Sequence, residues 1–232
     1  MNNAKQRSRF LMITQMRSGT QMLLAALQAH PEVVMEQWDG LKGEGISQLA
    51  NFREMTPKEQ DKRIRGTCTH QWCAPHIREN FDLEPEGFWQ AIAAFFPPRT
   101  VILNRENQLH RYLSSCVAFS RLDFDVSKPH QISNPPVKFD IDDFHVALEE
   151  HRDTQAVLQK VFPEALTVTY EDLCNRWDET LIRIEDYIGA KVIYFKPTTY
   201  RQEDRPVSQI IENWTPALER EPCTSGFGGW IN

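Results

Sequence analysis

The chain has 232 residues, 41% of them hydrophobic and 25% charged, with a formal net charge of −6. That length and apolar fraction exclude a disordered chain and predict one globular domain over residues 1–232. The acidic balance argues against a general binder of nucleic acid or anionic membranes, so an anionic ligand would need a local cluster of arginines.

No apolar stretch approaches the roughly 20 residues that span a bilayer. Residues 1–9 are polar and basic, unlike a signal peptide. Five cysteines, at 68, 73, 116, 174 and 223, are an odd number in a chain too large to need staples, which predicts a reducing, cytoplasmic setting.

In chain order, residues 10–13 form a short apolar run that predicts a buried strand. The run breaks at Arg17-Ser18-Gly19-Thr20 and resumes over 22–27 as Met-Leu-Leu-Ala-Ala-Leu, a strong helix former. His30-Pro31 ends that helix, because proline restricts the residue before it. Residues 33–35 predict a short strand, 46–63 one or two surface helices, and 64–70 another strand. A helix over 87–96 is stopped by Pro97-Pro98, a strand occupies 100–104, and a helix follows over 106–119. Residues 121–139, with Pro129, Pro135, Pro136 and little periodicity, read as a long loop. Helical spacing returns over 140–161, with Phe144, Ala147, Leu148, Val157, Leu158 and Val161 as its apolar face. A strand over 165–170, a helix over 177–188 closed by Gly189, a last strand over 192–195 and a helix over 206–218 follow. Strands alternating with helices predict an α/β fold, a parallel sheet flanked by helices on both faces.

A strand that turns through a small, Gly-containing loop into a helix gathers unpaired first-turn amides at the positive end of the helix dipole. Here Gly19 permits close backbone approach, Ser18 and Thr20 add hydroxyls, and Arg17 adds a fixed positive charge. On pattern alone, an anion cradle and an ordinary strand–helix turn with a polar cap both fit. A second polar group follows the 100–103 strand: Arg105 precedes a helix that carries Ser114 about two and a half turns in. Ligands collect at the carboxyl ends of open parallel sheets, so Arg105 falls on the same edge as the loop. The run Cys68-Thr-His70-Gln-Trp-Cys73-Ala-Pro-His76 has metal-ligating residue types, but it is tighter than paired zinc knuckles and has no second half.

Strand, Arg-Ser-Gly-Thr, helix and His-Pro together resemble the phosphosulfate-binding loop of the sulfotransferase family, whose members use 3′-phosphoadenosine-5′-phosphosulfate (PAPS) as donor. Leu103-Asn-Arg105, with Ser114 nine residues later, resembles the family's 3′-phosphate clamp in the variant of bacterial carbohydrate-type members. Leu166-Thr-Val-Thr-Tyr-Glu-Asp-Leu173 is similar to its strand followed by Tyr-Glu-Asp-Leu, and Arg205-Pro-Val-Ser-Gln-Ile-Ile-Glu-Asn213 to its C-terminal helix entrance. The resemblance spans residues 10–213 and implies a P-loop-like fold, sulfuryl transfer to a hydroxyl of a carbohydrate or small-metabolite acceptor, and no metal. It implies that Arg17, Ser18, Gly19, Thr20 and Gln21 hold the 5′-phosphate and that Arg105 and Ser114 hold the 3′-phosphate. Arg17 would also neutralise charge on the leaving oxygen. Arg201, Gln202 and Arg205, clustered after Tyr200, would line the donor's adenosine or 3′-phosphate side, a basic surface loop being the alternative.

The loop lacks the Gly-Lys-Ser/Thr ending of a Walker nucleotide loop, whose hydroxyl holds magnesium. That counts against one alternative, a P-loop nucleotide-dependent phosphotransferase. A second alternative is a non-catalytic nucleotide-binding protein on the same fold. An acceptor hydroxyl needs a base, for which family members use a histidine or a glutamate. Glu36 after the second strand, His70 at the end of the third and Asp39 are the candidates.

Overall fold

The computed structural model describes residues 9–37, 63–95, 99–121, 136–194, 196 and 207–213. The expected 46–63 helices up to residue 62, Asp39, Arg201, Gln202, Arg205, most of the 121–139 loop and residues 214–232 lie outside the described residues. Five parallel strands form one sheet in the order β2-β3-β1-β4-β5: β1 (Arg9–Thr14), β2 (Val33–Gln37), β3 (Ile64–His70), β4 (Thr100–Asn104) and β5 (Leu166–Thr169). The central strand β1 pairs with β3, Thr14 opposite His70, and with β4, Thr14 opposite Leu103.

Buried on both faces, β1 reads as a continuous apolar run instead of an alternating one. Phe10 and Met12 face one core with Leu23, Leu24 and Leu27 of α1 (Thr20–Ala29). α6 (Tyr170–Asn175) contributes Leu173 to that core, and α7 (Trp177–Ile188) contributes Leu181, Ile184 and Ile188. Leu11 and Ile13 face the other core, built from α2 (Ala74–Phe81), α3 (Pro85–Phe95) and Leu158 of α5 (Ile141–Val161). A third cluster packs α4 (Gln108–Arg121) against Phe139, Phe144 and Ile210, the last residue of α8 (Val207–Ile210).

The chain leaves β1 over one face through α1 and leaves β3 over the other through α2 and α3. β1 sits between β3 and β4, neither of which it is directly joined to. Connections that diverge to opposite faces leave a crevice at the carboxyl edge of such a sheet.

Several local expectations differ from the structure. α2 was not foreseen: Pro75, in its first turn, is a residue that starts helices as readily as it breaks them. The strand over 165–170 stops at Thr169, whose side chain accepts from the Asp172 amide while Asp172 reaches back to the Thr169 amide. This capping box starts α6 at Tyr170. Residues 192–194 are not a strand, because carboxylates take the backbone donors nearby: Lys191 N donates to Glu32 at 2.9 Å and Ile193 N to Glu185 at 3.1 Å. The 206–218 helix ends at Ile210, where Ile211 forms a parallel bridge with Val137 and the Asn213 amide brackets the Phe139 backbone at 2.8 and 3.0 Å.

Candidate functional site

Among the described residues, Arg17, Ser18, Gly19, Thr20, Arg105 and Ser114 of the proposed anion site lie at the carboxyl edge of β1 and β4. Residues 15–19 turn sharply between β1 and α1. Gly19 caps the helix with φ 84°, and Arg17 also lies in the left-handed region at φ 64°. An arginine there is strained by about 1–2 kcal/mol, which the surrounding contacts must outweigh. The loop is closed from inside: Ser18 Oγ donates to Gln15 O at 2.5 Å and Ser18 N to the same oxygen at 3.2 Å. The single Ser18 hydroxyl proton therefore serves the loop itself. Thr20 is buried, and its Oγ1 finds no hydrogen-bond partner among the described residues, which suits a site that takes an anion's oxygen. Gln21 is exposed on the second residue of α1.

The structure brings Arg17, Arg105 and Ser114 together across nearly a hundred residues. Arg17 Nε donates to Ser114 Oγ at 3.0 Å, and Arg105 Nη1 donates to Arg17 O at 3.2 Å. The Arg105 guanidinium stacks on the Tyr170 ring, 4.5 Å from its centroid. The same ring presses on the loop, since a Cβ at Gly19 would sit 2.8 Å from Tyr170 Cδ2. Glu171 holds the start of the Arg105 turn by accepting from the Glu106 and Asn107 amides at 2.9 and 3.2 Å. Tyr170 and Glu171 are thus parts of the site's frame.

Positive charge is concentrated here in an otherwise acidic chain. Burial, then the neighbouring Arg105 charge, lowers the pKa of Arg17, against a smaller opposing effect of Tyr170. Arg111 of α4 is lowered in the same order, by burial and then by Arg105. Sequence reasoning missed Arg111, which stands six residues after Arg105, in the first turn of α4, with no motif to flag it. His151 is pushed down to about 4 by burial and by Arg111 and Arg152, so it is neutral at ordinary pH. Mutually repelling guanidinium groups on one edge favour a ligand with several negative charges.

The proposed bases fall in different places. His70 ends β3 on this edge, level with Thr14, and its Nδ1 is 3.3 Å from Thr14 Oγ1. Glu36 lies on the outer strand β2, opposite Thr67, which in turn is opposite Leu11. That puts it three residues back from the edge, where it pairs with Arg65 at 3.2 Å. Cys68 belongs to the apolar core and its thiol is pushed up to about 12 by burial, whereas Cys73 caps α2. Among the described residues no three His, Cys, Asp or Glu side chains are gathered to hold a metal ion.

No family model matches the sequence, and no curated protein matches it significantly. Among solved structures, a sulfotransferase from Alicyclobacillus acidocaldarius superposes with a TM-score of 0.51, at 13% identity over 85% of this chain and 87% of the other. Mouse sulfotransferase SULT7A1, solved in complex with PAP (adenosine 3′,5′-bisphosphate), gives a TM-score of 0.49 at 14% identity, over 81% of this chain and 60% of its own. By its superposition on the Alicyclobacillus acidocaldarius enzyme, the chain, with its five-stranded parallel sheet and helices on both faces, has the sulfotransferase fold.

Proposed function

We propose that this protein is a sulfotransferase that moves a sulfuryl group from PAPS to a hydroxyl of a carbohydrate or other small-metabolite acceptor by direct in-line transfer. One observation carries the reading: Arg17 of the strand–helix loop, Arg105 and Ser114 meet at a single sheet edge, in the order and spacing of the family's two phosphate sites. The orphaned Thr20 hydroxyl and the clustered arginines fit a donor with phosphates at both ends of its ribose.

When bound, PAPS supplies an activated sulfuryl group on a phosphate leaving group. The chain's own residues do the rest. Amides at the start of α1, with Thr20 Oγ1 and the Arg17 guanidinium, would hold the 5′ side, and Arg105 and Ser114 the 3′-phosphate. Arg17 stabilises negative charge as it builds on the departing oxygen, an effect worth several kcal/mol in such sites. His70 is the better placed base, since it shares the loop's edge while Glu36 is set back and ion-paired. A transferred sulfuryl carries less charge than a phosphoryl, so arginine alone can offset it. The bacterial carbohydrate-type likeness of the Arg105–Ser114 motif supports a sugar-like acceptor.

The test is a thermal-shift comparison of PAP with 5′-AMP. Both carry adenosine and a 5′-phosphate, so a markedly larger stabilisation by PAP is expected from the Arg105–Ser114 site. Equal shifts would remove that site, and with it the donor assignment.

A further inference from the structure

Arg105 does not hold its place through its own side chain alone. Its backbone N–H donates to Gln15 Oε1 at 3.2 Å, and its carbonyl accepts from Gln108 Nε2. The two glutamines also bond each other reciprocally: Gln15 Nε2 to Gln108 Oε1 at 3.0 Å, and Gln108 Nε2 to Gln15 Oε1 at 3.3 Å. Both are buried. A carboxamide turned over in such a pair would set oxygen against oxygen and nitrogen against nitrogen, so a third group that fixes one orientation fixes both.

His151 of α5 is that group. Its Nδ1 lies 2.9 Å from Gln15 Nε2, which, as the amide nitrogen, must donate. Arg111 Nε reinforces the same orientation by donating to Gln108 Oε1 at 2.7 Å. His151 Nδ1 therefore accepts, and its proton sits on Nε2. Gln15 belongs to the strand–helix loop, Gln108 to the helix after β4 and His151 to α5, so the network ties three elements together at the Arg105 turn.

We propose that the Gln15–Gln108 carboxamide pair, oriented by His151, is a positioning device that sets the Arg105 backbone against the loop and so tunes recognition of a donor's 3′-phosphate. This rests on the sulfotransferase reading above. None of the three side chains need touch the donor. Gln15 Oε1 fixes the start of the Arg105 residue and Gln108 fixes its end, so the backbone is set from both sides while the guanidinium lies between Arg17 O and the Tyr170 ring. Loss of either amide strands buried polar groups of the Arg105 turn and lets it relax.

The experiment is calorimetric titration of the full chain and its variants with PAP and, separately, with 5′-AMP. Gln15→Met keeps the side chain's length and removes its polar atoms. We expect PAP affinity to fall about tenfold, with AMP affinity unchanged. His151→Leu, at a half-buried position with less risk to folding, should lose part of the same PAP preference. His151→Asn should retain it, because its side-chain oxygen can replace Nδ1 as acceptor for Gln15. Equal losses for PAP and AMP in Gln15→Met would make Gln15 a loop brace only and overturn the proposal. So would an unchanged PAP preference in both Gln15→Met and His151→Leu, or failure of His151→Asn to do better than His151→Leu. Failure of the unsubstituted chain to prefer PAP over AMP would instead overturn the sulfotransferase reading itself.

Discussion

Gly19→Ala tests whether Tyr170 couples the loop to Arg105. Gly19 has φ 84°, where an L residue costs about 1–2 kcal/mol. The new Cβ would also fall 2.8 Å from Tyr170 Cδ2 and 3.4 Å from Cε2. Real Cβ atoms do not approach ring carbon that closely, so the ring must give way, and that ring supports the Arg105 guanidinium at 4.5 Å. For a chain of this size each kcal/mol lowers Tm by about 2–4 °C, so the backbone strain alone predicts a drop of about 2–8 °C. Displacement of the ring adds to this and weakens PAP. The assay is thermal melting of Gly19→Ala, Tyr170→Ala and the double variant, with PAP titration of each. If the contact matters, Gly19→Ala should cost at least about 0.5 kcal/mol less when Tyr170 is already alanine, with the strain of φ left over. An identical cost in both backgrounds would refute the coupling, and an unchanged Tm would refute the strain as well.

Arg17→Ala should lower the transfer rate by about 10²–10³-fold while leaving the melting curve near that of the native chain, since a half-buried loop guanidinium adds little to the core; retained activity would remove its assigned role. His70→Asn should lower kcat by about 10²–10⁴-fold, and Glu36→Gln should leave it nearly unchanged; the opposite ranking in a steady-state assay would move the base to Glu36. Thr169→Ala removes the capping box of α6 and should cost about 1 kcal/mol in denaturant unfolding. His151 is held neutral, with its pKa pushed down to about 4 in the folded state against an ordinary value of 6.5. The unfolded chain therefore takes up its proton first, so this contribution to stability is complete above pH 6.5 and is lost as pH falls from there toward 4. Urea titrations across that range should show a shallower pH slope for His151→Asn than for the native chain.

What could be read from the sequence was what is local. β1, the loop and α1 follow within twenty residues of one another, so an apolar run, a glycine and a helix-forming stretch suffice to place them. Arg105 could be assigned to the same edge because parallel strands end on one side. α6 was also present in the sequence, since Thr169 and Asp172 have capping-box spacing, but the apolar strand before it obscured the start. α2 was hidden for a different reason: Cys68, His70, Cys73 and His76 drew attention as possible ligands, while Ile77 and Phe81 mark its buried face. The Gln15–Gln108–His151 network had no sequence signal at all. Neutral amides are common everywhere, and only folding reveals that two of them, 93 residues apart, share a buried pair. Ranking the candidate bases likewise needed the sheet register, which sets His70 beside Thr14 and Glu36 three residues behind it.

The central position of β1 also bears on how the protein comes into being. Arg9 pairs with Arg65, and Leu11 with Thr100, so β1 must wait for two strands made much later. Until β4 has left the ribosome, an apolar strand that will be buried on both faces has at most one neighbour. Pairings of such long range make folding slow and leave sticky edges open meanwhile. The loop that defines the site is attached to this strand, so no nascent fragment ending before residue 104 can assemble it. A partial chain would carry the hazard of β1 with none of the site's function.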